Sequence, residues 1–479
     1  MSMEIDEIYH EIGESGKQQI KYGAVLFLLK VYTPFIILQY TFVARPTAFQ
    51  CFRGEQVLEN QCFESKVAAC TNLTYAERTI VAEWDLVCDR NWMAKASMSM
   101  VMLGFLIGAL FLGALADRIG RKFSLMITLC GVITFNGISA ITADYGVYIT
   151  ARFLVGFFVS GKVLSIIVLV SELVGSNYRG LYGLAVMGAT PIGIMLLTGL
   201  ALIIQDWRSL TMTVSLIGCL FLSVNWYLVE SPRWLLNVSR LKEALAVLEV
   251  IRKGNGTSPH LLSLRKQSIP ILPIERIWNL LGRKRLTHML YILSFIWFIN
   301  GATYYGLTLA SGDIGTDLYT GMVLGGLAEL PALALCYIFF LKLGRRLGLA
   351  LFMFFSGLSC IFIHFVAGTS MEYLITSFAL IGKMCIAGSF KVAHIISGEI
   401  FATSIRNSGL GFMSATARVG SILAPFIVMA GETSPGIQFT IFGILGLTGG
   451  ILSLFLQETQ DRPLPETIPE MMAELDRKI

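Results

Sequence analysis

Residues 113–122 read Gly113-Ala-Leu-Ala-Asp117-Arg118-Ile-Gly120-Arg121-Lys122 and stand between two long apolar runs. A charged, glycine-bearing stretch in that position is a tight connection between two membrane-embedded helices. The same turn returns later in the chain. Gly120-Arg121-Lys122 recurs as Gly344-Arg345-Arg346 at an offset of 224, Glu172 with Arg179 recurs as Glu399 with Arg406 at 227, and Glu230 recurs as Glu458 at 228. Three matches in order at nearly one offset mark two parallel repeats. Parallel halves around a site near the membrane midplane are an architecture of alternating-access carriers.

Composition agrees with this reading. The chain has 479 residues, 55% of them hydrophobic and only 14% charged, with a mean hydropathy of +0.68. Soluble domains carry roughly 25% charged residues, so a soluble enzyme is excluded. Apolar runs of about 20 residues or more are spans, and they fall at 22–43, 93–116, 123–142, 147–173, 182–204, 209–228, 287–310, 319–341, 347–367, 373–398, 408–430 and 437–456. The expected fold is an all-α polytopic membrane protein of twelve helices in two parallel six-helix halves, 1–228 and 287–479, joined by a linker at 229–286. The first run is too long for a signal-peptide core and lacks a small-residue cleavage site, so it reads as a retained helix. Ile5, Ile8 and Ile12 predict a short surface helix ahead of it, and Leu241, Leu245 and Leu248 predict amphipathic helices in the linker.

The basic residues orient the chain. With both termini cytoplasmic, 24 of the 37 Lys and Arg lie on the inner side, six on the outer side and seven within spans, which is the positive-inside distribution. The formal charge of +5 is therefore a membrane signal and not a nucleic-acid one. Cys51, Cys62, Cys70 and Cys88 all fall in the 44–91 loop, which this orientation makes extracellular and oxidising. They allow three disulfide pairings. Asn72-Leu-Thr74 beside them is a glycosylation sequon, whereas Asn237-Val-Ser239 and Asn255-Gly-Thr257 fall on the inner side and are expected to be silent.

At these residues the chain resembles the major facilitator superfamily, and specifically its organic cation, anion and carnitine transporter branch, solute carrier family 22. Residues 113–122 resemble the superfamily's loop motif between spans two and three, and Glu230-Ser-Pro232-Arg233-Trp234 resembles its motif after span six. Glu83-Trp84-Asp85-Leu86-Val87-Cys88-Asp89, Tyr304-Tyr305-Gly306, Gly382-Lys383, Ser408-Gly409-Leu410-Gly411 and Arg462-Pro463-Leu464-Pro465-Glu466-Thr467 are similar to the branch's own motifs. The resemblance implies a plasma-membrane carrier of small organic ions, with Asp117, Arg118, Arg121, Glu172, Arg179, Glu399 and Arg406 as gating residues. One departure stands out: the second half has Leu341 where an acid in step with Asp117 would stand.

Charges inside the spans carry the substrate reading. Lys95 and Arg152 lie near span ends and are expected to snorkel. Lys30, Lys162, Lys383, Lys391 and Arg418 are deeper, against a single comparably deep acid, Glu329. A charge at a helix centre costs roughly 2.5–3.5 kcal/mol on insertion scales, so each must face a cavity or a partner. Five cations against one carboxylate leave a surplus that an anionic substrate would complement. Arg418 is the strongest candidate, because arginine keeps its charge and offers a bidentate fork to carboxylate or sulfate. The resemblance adds that the Arg418 position is basic in anion-type and carnitine-type members. It also implies a span-eight lysine near Leu333, which is absent here, and Lys391 is expected to supply that charge from another wall. Trp297, Tyr304, Tyr305 and Phe390 complete the candidate cavity, the last two by resemblance to substrate-lining positions.

No nucleotide-binding loop, dinucleotide fingerprint or zinc-ligand spacing appears, so no cofactor or metal is expected. The expected function is carriage of an organic anion or zwitterion, with an intracellular dicarboxylate or another ion as counter-substrate. Two alternatives stand beside it: an organic cation uniporter using Glu329 as counter-charge, and a non-transporting receptor or scaffold.

Overall fold

The computed structural model describes residues 5–257, 283–310, 317–366, 371–402, 405–433, 436–460, 465 and 468–476. In chain order the helices are α1 (Ile5–Ile12), α2 (Lys17–Ile37), α3 (Tyr40–Val43), α4 (Ile80–Glu83), α5 (Asn91–Ile119), α6 (Arg121–Ile141), α7 (Tyr145–Glu172), α8 (Arg179–Met187), α9 (Ala189–Ile203) and α10 (Trp207–Val224). They continue with α11 (Pro232–Asn237), α12 (Leu241–Asn255), α13 (Lys284–Leu309), α14 (Leu318–Lys342), α15 (Arg345–Val366), α16 (Glu372–Ile400), α17 (Arg406–Thr433), α18 (Ile437–Ser453) and α19 (Ile468–Asp476). Among the described residues, eleven helical segments are long and apolar enough to cross a membrane, and the apolar α18 is slightly shorter. These are the twelve spans expected, with two interruptions: the first bends after Ile37, three residues beyond Pro34, and the fifth divides at Gly188 into α8 and α9.

The chain forms two compact units. One contains 1–43, 107–197 and 204–270; the other contains 44–106, 198–203 and 271–479. In the first unit α1 lies on its apolar face, with Ile5, Ile8, Tyr9 and Ile12 all buried and the Tyr9 hydroxyl donating to the Glu172 carbonyl at the end of α7. Asn255, the last residue of α12, accepts from the Gln18 backbone N–H and donates to the Ile12 carbonyl and Gln19 Oε1. The Asn255 side chain, at a sequon expected to be silent, is thus engaged within the fold. The remainder of the linker, 258–282, and the tail motif at 462–464, 466 and 467 lie outside the described residues.

In the second unit the 44–91 loop builds a small sheet in the order β2-β1-β3, antiparallel throughout, from β1 (Phe49–Arg53), β2 (Gln56–Glu59) and β3 (Asn72–Tyr75). Of the three pairings open to its cysteines, the fold adopts Cys51–Cys70 and Cys62–Cys88. Arg45 bonds Glu77 at 2.5 Å and Tyr75 donates to Asp85 at 2.9 Å. So short a sheet buries little apolar surface, and each disulfide is expected to contribute about 2–4 kcal/mol. Replacing either cysteine pair by serine is therefore expected to open the 44–91 segment to limited proteolysis while the spans stay intact, read by fragment size.

Arg152 corrects the sequence reading. It does not reach solvent; it is 1% exposed, and its Nη1 donates to Asn136 Oδ1 at 3.3 Å. A polar partner on the neighbouring span α6 holds the side chain inward where an isolated helix would let it extend to the surface.

Candidate substrate site

Small residues set the geometry around Arg418. A Cβ on Gly301 of α13 would lie 2.0 Å from the Ala417 carbonyl of α17, and one on Gly420 would lie 2.2 Å from the Phe298 carbonyl. The two helices therefore cross backbone to backbone, as small residues permit in membranes. Tyr305 is one turn beyond Gly301, and Arg418 follows Ala417, so this crossing brings them together. Arg418 Nη1 donates to the Tyr305 hydroxyl at 3.0 Å, and the guanidinium lies 3.8 Å from the centroid of Phe105 in α5. Its Nε has no hydrogen-bond partner among the described residues. Among the described residues no carboxylate lies within 4 Å of Arg418, whereas the deep acid Glu329 has a cation beside it, Lys383 Nζ at 3.6 Å from its Oε1, an ion pair too long to be a hydrogen bond.

From Tyr305 a train of rings leads along α13 and α16. Tyr305 meets Tyr304 edge to face at 5.3 Å, Tyr304 stacks on Phe390 at 6.0 Å, and Phe390 meets Trp297 at 5.7 Å. Lys383 Nζ lies 3.8 Å from the Tyr304 centroid and also bonds the Thr308 hydroxyl and the Tyr304 carbonyl. Trp297 donates through Nε1 to the Ser397 hydroxyl at 2.9 Å. Arg418, Tyr305, Tyr304, Phe390, Trp297, Lys383 and Glu329 thus form one connected cluster within the second unit. Lys391 is buried on α16 and donates to the Ala387 carbonyl of its own helix. Lys162 belongs to the first unit, where it donates to the Leu29 carbonyl and lies 4.8 Å from the Tyr32 centroid.

Sequence reasoning missed Phe105 and His394. The His394 ring lies 4.3 Å from Trp297, and its Nδ1 is 2.8 Å from the Phe390 carbonyl. The spacing of four between Phe390 and His394 was available as a signal that they share a helix face; Phe105 had none.

The repeated turns have matching chemistry. Gly120 and Gly344 adopt left-handed backbone with φ of 99° and 83°. A Cβ at either would meet a carboxylate oxygen, 2.4 Å from Glu230 Oε2 or 2.6 Å from Glu458 Oε2. Glu230 accepts from the backbone N–H groups of Arg121 and Lys122, and Glu458 from those of Arg345 and Arg346. Each acid therefore caps the next helix, at the end where free N–H groups and the helix dipole favour negative charge. Arg121 then bridges Asp117 at 3.0 Å and Glu172 at 3.1 Å, and Arg345 approaches Glu399 at 3.5 Å. With Leu341 in place of an acid, the second cluster has one carboxylate fewer from the sequence. Among the other expected gating residues, Arg118 is exposed, Arg179 opens α8, and Arg406 Nε donates to the Phe401 carbonyl.

Burial raises the Glu458 carboxyl, but the backbone N–H groups of Arg345, Gln460, Arg346 and Thr459 outweigh it and hold the pKa below the ordinary 4.5. A depressed folded value means that its stabilisation is complete above the ordinary carboxylate pKa and is lost as pH falls through the lower, folded value. Glu458→Gln is expected to cost about 1–2 kcal/mol at neutral pH, in the range of a lost helix cap. The stability gap between the native protein and the variant should begin to narrow as pH falls below the ordinary carboxylate range and should close only once pH has passed through the lower, folded value.

One acid-capped glycine turn built twice, each ahead of a long apolar helix, defines a duplicated multi-pass membrane protein. A family model described as "Sugar (and other) transporter" matches residues 53–471. The chain belongs to the major facilitator superfamily and, within it, to solute carrier family 22, a family of transporters and not of enzymes. It is 32% identical to solute carrier family 22 member 15-like of Xenopus laevis over 98% of this chain and 97% of that one. It is 34% identical to the organic cation transporter protein of Drosophila melanogaster over 85% and 77% of the two chains. The organic anion transporter 3 of Oryctolagus cuniculus is also 34% identical, over 82% and 74%. In fold the chain is similar to the inward-open xylose transporter XylE from E. coli, with a TM-score of 0.69 at 16% identity, covering 95% of this chain and 99% of that one.

Proposed function

We propose that the protein carries small organic anions or zwitterions across the plasma membrane by alternating access. One observation supports the charge preference: Arg418 sits among aromatic rings with no carboxylate partner among the described residues, while Glu329 is ion-paired with Lys383. A flat anion satisfies both features, its carboxylate or sulfate on the guanidinium fork and its ring against Tyr305, Tyr304 and Phe390. The cation alternative needs Glu329 free, and its engagement with Lys383 argues against that reading. Lys391 adds positive charge to the same unit, and Lys162 to the other. The names of the relatives span both charge classes, since one is an organic cation transporter and another an organic anion transporter.

Both termini face the cytoplasm in this reading, and Asn72 is exposed on β3, where an outward-facing loop would be glycosylated. The gating clusters at Arg121 and Arg345 would break and re-form as the halves alternate. The deciding experiment is uptake into oocytes or proteoliposomes of labelled estrone sulfate, an aromatic carboxylate, carnitine and a quaternary ammonium, with and without an internal dicarboxylate. Saturable uptake of the anions or of carnitine is expected, while selective uptake of the quaternary ammonium would overturn the charge assignment.

A further inference from the structure

Arg152 presents a buried charge that the candidate substrate site does not use. It lies seven residues into α7, about 10 Å along the helix from its start, and is 1% exposed. Among the described residues its one hydrogen bond, 3.3 Å to Asn136 Oδ1, is to a neutral oxygen that already accepts a closer bond from Gln39 Nε2 at 2.5 Å. The Asn136 amide is spent on the Thr211 carbonyl and the Ser215 hydroxyl of α10. Arg152 Nε and Nη2 have no hydrogen-bond partner, and no carboxylate lies within 4 Å of the guanidinium among the described residues. The titratable side chains beside it are the phenols of Tyr148 and Tyr40. Gln39 and Asn136 are fully buried and Tyr148 nearly so.

Arginine cannot shed its proton to escape such a site. A water molecule would satisfy the free N–H groups but leave the positive charge without a counter-charge. Walls this enclosed leave no path for the body of an organic substrate. We propose that Arg152 binds a small inorganic anion, a halide such as chloride, held by Nε and Nη2. The bound halide joins the segment carrying Gln39 to α6, α7 and α10, so its occupancy stabilises that end of the first unit. None of these residues belongs to the Arg418 cluster, and the inference does not depend on which organic ion is carried.

The test uses the full-length protein in detergent at constant ionic strength, with chloride exchanged for gluconate. Thermal unfolding is expected to shift upward by about 2 °C or more with chloride, to saturate, and to respond to bromide likewise. Arg152→Gln should abolish the response. Crystals grown in bromide should show anomalous density within hydrogen-bond reach of Arg152 Nε, which decides the matter on the native chain if the variant does not fold. A chloride-independent transition, a response that persists in Arg152→Gln, or water density in place of the bromide peak would each overturn the assignment.

Discussion

Arg418→Ala is expected to lower the kcat/KM for uptake of an aromatic carboxylate by at least about thirtyfold, at unchanged surface expression. Truncating one member of a buried hydrogen-bonded charge pair costs about 2–5 kcal/mol, and 1.4 kcal/mol is tenfold. The lower end of that range already gives the stated loss. Arg418→Lys separates charge from shape: it keeps the cation but loses the planar fork, so an intermediate loss is expected. Tyr305→Phe removes one acceptor from the guanidinium and is expected to cost about tenfold, the lower end for a hydrogen bond to a charged group at about 1.5 kcal/mol. Radiolabelled uptake, normalised to surface-biotinylated protein, reads all three. Full anion uptake by Arg418→Ala would remove the physical basis of the charge assignment.

Charge patterning made much of this molecule legible before any coordinates. Glu230 and Glu458 stood out because a repeat brings the same acid to the same turn, and each proves to cap the helix that follows its glycine. Arg418 stood out because a guanidinium in an apolar run is costly unless it is used. The partner of Glu329 was not legible: Lys383 is 54 positions away on another span, and a count of charges does not say which cation takes the acid. Phe105 was silent for a different reason, since an apolar ring in a span carries no cost that would mark it. The misreading of Arg152 came from treating depth along one helix as the whole environment, when Asn136 on the neighbouring span decides where the side chain goes. The break at Gly188 was equally hidden, because hydropathy averages over composition and not over backbone hydrogen bonds.

The close crossing of α13 and α17 has the second large consequence. Gly301→Ala adds one methyl group, yet that Cβ would stand 2.0 Å from the Ala417 carbonyl oxygen. The obstacle is backbone, so no rotamer change relieves it and trimming the Ala417 side chain would not help. The helices must separate or shift locally, and overpacking of this kind costs about 1–3 kcal/mol or more. Separation also moves the Arg418 guanidinium relative to the Tyr305 hydroxyl, because the two sit within one turn of the contact. Misplacement by about 1 Å of a group that positions substrate is worth up to a hundredfold in rate. Gly301→Ala is therefore expected to lower the thermal transition of the purified protein and, in the fraction that folds, to reduce anion uptake at least about tenfold, which is 1.4 kcal/mol. Gly325→Ala in α14 is the matched control: a Cβ there meets nothing within 4 Å, and alanine is the better helix former by about 1 kcal/mol. Stability and uptake in that variant should equal or exceed those of the native chain. If Gly301→Ala behaved like Gly325→Ala, the crossing would not be what holds Arg418 against Tyr305.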